Sequence, residues 1–233
     1  MKKISHLLAL TLLFGLWTST VSHAQTIVAD NFDSATTNSL LNGRTPDVGS
    51  SNWNVISGTS LVYTENPSGT DGRVYTTRNN SSVSDVGILA LPSEATGIIQ
   101  LDANVRVLDV NWVGVGFLDG EVAFTNSSSQ AWVQINNNGS SIILREYGTT
   151  ILDTVSSGYT WNQFGYNDVS LIVDTDTRAV EVIVNGTSII TSTLSADPTI
   201  SSTGFQFHGP VDFDTDINSR VRLDSISVSQ IPE

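Results

Sequence analysis

Beyond residue 24 the chain has no long stretch with apolar residues at three- and four-residue intervals. Instead, β-branched and aromatic runs of five to eight residues recur between clusters of Gly, Asn, Asp and Ser. A chain so written cannot bury a helical stripe, but it can bury one face of many short strands, and so it reads as all-β. Runs such as "GIIQLDANVRVLD", "NWVGVGFLD", "NDVSLIVD" and "GFQFHG" are strand candidates. Two Asn-Gly pairs fix registers, because a two-residue turn with positive φ at both centres joins antiparallel neighbours tightly. With Asn138-Gly139 as such a turn, Val133, Ile135, Ile142 and Leu144 share one face, and Trp132 joins Gln134, Arg145 and Tyr147 on the other. Placing Asp174 opposite Ala179 pairs Val173 with Val180, Leu171 with Val182 and Val169 with Val184, after which Asn185-Gly186 turns the chain into "TSII". No repeat at propeller-blade length occurs, so the expectation is a two-sheet antiparallel sandwich, with a closed barrel as the alternative.

The first 24 residues, "MKKISHLLALTLLFGLWTSTVSHA", join two lysines, an apolar run and small residues around His23. This reads as a secretory signal peptide cut after Ala24, since the run from Leu7 to Trp17 is shorter than the ~18 apolar residues a spanning helix needs. Residues 25–231 are then expected to form a single β-sandwich domain that is secreted, extracellular or at the cell surface, with no membrane insertion. Without Lys2 and Lys3, eight arginines face 23 acidic residues, a formal charge of −15. That sign disfavours nucleic acid and anionic lipid as partners. Cysteine is absent, which removes disulfides, thiol chemistry and zinc-thiolate sites.

The segments "ADNFD", "LNGRTPDVGSSNW", "NWVGVGFLD" and "RLDSISVSQIPE" together resemble the laminin-G-like, concanavalin A-like jelly rolls of bacterial exported proteins. The resemblance implies a jelly-roll sandwich and a tendency to bind carbohydrate. Ile231-Pro232-Glu233 also resembles the opening of a truncated C-terminal Pro-Glu-Pro sorting signal, beginning at residues 232–233. Fold-level likeness sets an expectation and does not by itself locate a site.

The residues bear on three chemistries. A retaining glycoside hydrolase needs two carboxyls roughly 5 Å apart, commonly from Glu-x-Asp-x-x-Glu on one strand face, and that motif does not occur. Asp174/Asp176 and Asp212/Asp214/Asp216 have two-residue spacing but fall in turns. A polysaccharide lyase would need Tyr or His as base beside Arg or an amide, and His208, Tyr147, Arg145 and Gln206 are the candidates. A calcium ion would suit the alternating oxygens of Asp212, Asp214, Asp216 and Asn218 in "DFDTDINS", although this is not an EF-hand loop. Asp30, Asp33 and Asp224 form a weaker acidic group, expected to cap turns.

The outward tryptophan carries the preferred reading. If Val113, Val115 and Phe117 enter the core, Trp112, Gly114 and Gly116 lie on the opposite face as a flat floor with one aromatic wall, and Gln206 and His208 turn outward between buried Phe205 and Phe207. Were these strands neighbours, Trp112, Trp132, Gln134, Arg145, Tyr147, Gln206 and His208 would gather on one face, an aromatic and amide set suited to a sugar's C–H face and hydroxyls. The same face admits another account, in which Arg145 covers Trp132 or a neighbouring loop buries both. The function expected is non-catalytic binding of a polysaccharide or glycan, with a lyase, a hydrolase or a structural surface protein as alternatives.

Overall fold

The computed structural model describes residues 24–57, 62–65, 72–76, 84–107, 112–208 and 221–232. Its strands, in chain order, are β1 (Gln25–Asp30), β2 (Ser39–Leu40), β3 (Asn54–Ser57), β4 (Val62–Glu65), β5 (Arg73–Thr76), β6 (Ser84–Ala95), β7 (Ile98–Arg106) and β8 (Trp112–Leu118). They continue with β9 (Ser129–Asn136), β10 (Ser141–Glu146), β11 (Thr150–Val155), β12 (Asn167–Asp174), β13 (Ala179–Val184), β14 (Thr187–Thr193), β15 (Ile200–His208) and β16 (Arg222–Ile231). Among the described residues the only helical element is a 3-10 turn at Asn137–Gly139.

These strands form two antiparallel sheets, the expected jelly-roll sandwich. A nine-stranded sheet runs β14-β13-β12-β7-β16-β5-β4-β2, with β1 also paired to β16, and a seven-stranded sheet runs β11-β10-β9-β8-β15-β6-β3. Both hairpin registers follow the sequence pattern. Val133 lies opposite Leu144 and Trp132 opposite Arg145, while Val169, Leu171 and Val173 face Val184, Val182 and Val180. Asn138 and Gly139 take φ of 55° and 70°, and Ser140 N–H donates to the Asn137 carbonyl at 2.9 Å, as a primed hairpin turn requires. Asn185 and Gly186, at 47° and 77°, do the same between β13 and β14.

The inward faces meet in one apolar layer. Val113, Val115, Phe117, Val133, Ile135, Phe205 and Phe207 from the seven-stranded sheet pack with Ile99, Leu101, Val169, Leu171, Val182, Leu223 and Val228 from the other. Each such side chain contributes about 1.5–3 kcal/mol of burial free energy, which a chain without disulfides depends on. At one edge Trp53 plugs this core, donating its indole N–H to Asp30 at 2.7 Å. Asp30 also accepts from Phe32 N–H at 2.9 Å and pairs with Arg44, and burial raises its carboxyl above the ordinary value despite those partners.

Candidate functional site

The register of the seven-stranded sheet sorts its outer face into rows. Across β6, β15, β8, β9 and β10 the first row reads Ser84, His208, Trp112, Asn136, Ser141; the second Val86, Gln206, Gly114, Gln134, Ile143; the third Ile88, Gly204, Gly116, Trp132, Arg145. Strands β15, β8, β9 and β10 stand side by side, as the gathering of these residues on one face requires. Six of the seven candidate residues stand in these rows, and Tyr147 follows β10.

Of the two accounts of this face, the one in which Arg145 and a neighbouring loop cover Trp132 holds. Trp132 keeps its outward orientation but is only 1% exposed. The segment between β8 and β9 folds back over the third row and brings Phe124 to 5.4 Å from the Trp132 ring. Val86, Ile88, Leu118, Phe124 and Trp132 thus form a second small core outside the sandwich, with Trp112, Val122 and Ala123 packed against it. Gly114 and Gly116 are no open floor either. A Cβ on Gly114 would sit 3.1 Å from the Trp132 ring, and one on Gly116 would sit 2.4 Å from Trp132 Cβ. Gly114 lacks a side chain so that this indole can lie across β8, and Gly116 so that β8 can run this close to the β9 backbone at Ala131 and Trp132.

Gln206 is likewise buried, at 1% exposure. Its carbonyl oxygen accepts from Phe124 N–H at 3.1 Å. The covering segment is tied down further where Ser129 Oγ donates to the Phe124 carbonyl at 2.9 Å, Gly148 N–H donates to Ser129 Oγ at 2.7 Å, and Trp132 Nε1–H donates to the Gly148 carbonyl at 2.8 Å. These bonds give the buried Trp132 indole N–H, the Phe124 N–H and carbonyl, and the Gly148 N–H and carbonyl a partner each, as burial demands. Trp132 and Gln206 are therefore support for the face and not contacts on it.

The first row remains half-open. Trp112 stacks on His208 with ring centroids 4.9 Å apart and 20° between planes, and leans on Trp132 at 5.9 Å. His208 Nδ1 is bonded to Ser84 Oγ at 3.0 Å, and burial holds its imidazole below the ordinary value. Beside the rings runs a polar relay: Arg145 Nε donates to Gln134 Oε1 at 2.9 Å, Gln134 Nε2 to Asn136 Oδ1 at 2.7 Å, and Asn136 Nδ2 to Ser141 Oγ at 3.0 Å. Arg145 also lies over the Trp132 ring at 5.5 Å, and burial pulls its guanidinium below its usual value. Asn136 and Ser141 joined this row unforeseen, although the hairpin register alone would have placed them there.

The lyase set does not converge. Tyr147 donates to the Ala196 carbonyl at 3.0 Å, and Arg145 on β10 stands three strand spacings, about 14 Å, from His208 on β15. Nor do β8, β9, β10 and β15 place a carboxylate on this face: their one acid, Glu146, is buried on the inner side and accepts from Ser195 N–H at 2.8 Å. Asp119 and Glu121, a two-residue pair in the covering segment, are bonded to Ser201 and Asn54 instead. Asp212, Asp214, Asp216 and Asn218, the calcium candidates, lie outside the described residues, as does nearly all of the leader. Among the described residues no three His, Cys, Asp or Glu side chains come together as a metal site. Of the acidic group expected to cap turns, Asp30 does so at Phe32, whereas Asp33 accepts from Gly72 N–H, 39 residues along the chain, at 2.9 Å.

Comparison with solved structures assigns the architecture. A Bacillus subtilis protein of unknown function with a galectin-like fold superposes with a TM-score of 0.58 at 11% identity, over 88% of this chain and 96% of that one. The sandwich is galectin-like. An endo-1,3-beta-glucanase from Streptomyces sioyaensis aligns with a TM-score of 0.55 at 15% identity, over 89% of this chain and 96% of its own. The carbohydrate recognition domain of Emp47p aligns at 0.53 and 14%, over 84% and 94%. No protein-family model matches the chain, and no curated protein does. At these identities the galectin-like likeness defines the fold alone.

Proposed function

We propose that this protein is a non-catalytic carbohydrate-binding module, exported through its N-terminal segment and acting at the cell surface or in extracellular matrix. The observation that carries the reading is the Trp112–His208 stack, held on a rigid sheet next to the Arg145–Gln134–Asn136–Ser141 relay. Such a pair offers an apolar ring surface to a pyranose and, one strand away, amide and hydroxyl groups to its hydroxyls. The carbohydrate recognition domain and the glucanase on the same fold add support at the level of ligand class. Binding is placed ahead of hydrolysis because a retaining or inverting mechanism needs two carboxyls across the sugar, and the four central strands supply none to this face.

Affinity electrophoresis against a panel of soluble polysaccharides tests this. At least one glycan should retard the protein, and Trp112→Ala should abolish the retardation while the variant stays folded. Unchanged retardation of Trp112→Ala would remove the site, and release of reducing ends from the glycan would replace binding by catalysis.

A further inference from the structure

The opposite side of the sandwich has a different character. On the outer face of the nine-stranded sheet, β12, β7 and β16 align Asp168, Asn104 and Ser225 in one row and Ser170, Asp102 and Ser227 in the next. The end of β1, through Ala29–Asn31, walls this floor and leaves a groove of about 400 Å³, within the ~300–1,000 Å³ of small-ligand sites. We propose that this groove is a second, separate site for a neutral, hydroxyl-rich sugar.

Its polar groups are organised before any ligand arrives. Asp102 accepts from Gln100 Nε2 at 2.8 and 2.9 Å and from Ser170 Oγ at 2.5 Å, and Asn104 Nδ2 donates to Asp168 Oδ1 at 2.5 Å. That leaves Asp168 Oδ2, Asn104 Oδ1 and the hydroxyls of Ser225 and Ser227 without a partner among the described residues. A carboxylate oxygen, an amide oxygen and two hydroxyls around one hollow form an acceptor-rich set with rotatable donors, which vicinal sugar hydroxyls complement. The two carboxylates, in a chain of formal charge −13, repel uronates and sulfated sugars and so select neutral ones. A cation fits less well, because Asp102 already receives three hydrogen bonds and a hard ion would need six to eight converging oxygens. No aromatic ring lines the groove, so recognition there would be by hydroxyl hydrogen bonds alone, unlike the Trp112 face.

Residue-resolved NMR titration of the protein with neutral hexaoses (β-1,3-glucan, cellulose, xylan and mannan series) tests the proposal. At least one should shift the amides of Asn104, Asp168, Ser225 and Ser227. Asp168→Ala and Ser227→Val should each weaken that response about tenfold, the loss of one hydrogen bond to a charged or well-placed group, and leave any response at Trp112 unaltered. No shift in the groove with any hexaose overturns the proposal, as do shifts that persist unweakened in both variants, or the same shifts produced by calcium without sugar. Because Trp112 is read in the same spectra, failure of the first site and failure of this one are separately visible.

Discussion

The two outer faces of this sandwich are built from the same period-two alternation and end up physically opposite. On the seven-stranded sheet the outward residues of the third row from β6 to β9 are apolar or lack a side chain, and a segment of the chain closes over them around Trp132 and Phe124. On the nine-stranded sheet the outward residues of β7, β12 and β16 in the two groove rows are Asp, Asn and Ser, and they line an open groove. Alternation therefore tells which side of a sheet a residue takes, whereas exposure depends on what the loops do afterwards. A sheet covered on both faces must be apolar on both, and Trp132 with its glycine seat is the signature of that condition.

The comparison breaks most directly at its largest element. Trp132→Ala should cost about 3–5 kcal/mol in urea unfolding, the price of a buried aromatic, although the residue lies outside the main core. A loss within the range of surface substitutions would mean that the covering segment is not a packed layer. Next, Gly116→Ala places a Cβ 2.4 Å from both Trp132 Cβ and the Ala131 carbonyl oxygen and should destabilise by about 1–3 kcal/mol through overpacking; an unchanged denaturation midpoint would show that β8 and β9 do not approach so closely beneath Trp132. Replacing Gln206 by Leu should fall in the same range, about 1–3 kcal/mol, since it orphans the buried Phe124 N–H.

Smaller effects sharpen the contrast. Burial keeps His208 below its ordinary imidazole value, so the unfolded chain takes up a proton there before the folded one does. Stability from this group is complete above the unfolded value near 6.5 and declines as pH falls through it towards the folded value. The urea midpoint should drop slightly between pH 7.5 and about pH 5, and His208→Phe should lose that part of the slope; an identical slope in the variant would place the imidazole in open water. At the other face Ser227→Ala should change stability by no more than about 0.5 kcal/mol, because that hydroxyl lines the open groove and holds no hydrogen bond to a described residue.

Much of the local structure was legible in the residues. The Asn-Gly turns and alternating valines fixed the β9–β10 and β12–β13 registers, because a one-residue slip would have turned each apolar set to solvent. The side of the sheet taken by Trp132 and Gln206 was legible for the same reason. Their burial was not, since it depends on Phe124, a single aromatic in a loop with no periodicity, meeting strands from distant parts of the chain. The groove on the nine-stranded sheet escaped sequence reasoning as well. Its floor needs β16 between β7 and β1, a pairing of the first and last strands that no local pattern encodes.

The account rests on Trp132 being sealed and Trp112 being available. Indole N–H resonances measured in one sample decide this, through hydrogen exchange in buffer followed by titration with a glycan that the protein binds. The Trp132 signal should exchange slowly, held by the Gly148 carbonyl, and should shift little, while the Trp112 signal exchanges fast and moves with saturation. Rapid exchange at Trp132 would contradict the sealed second core, and saturable binding that moves neither Trp112 nor the amides of the groove on the other sheet would contradict the site beside it.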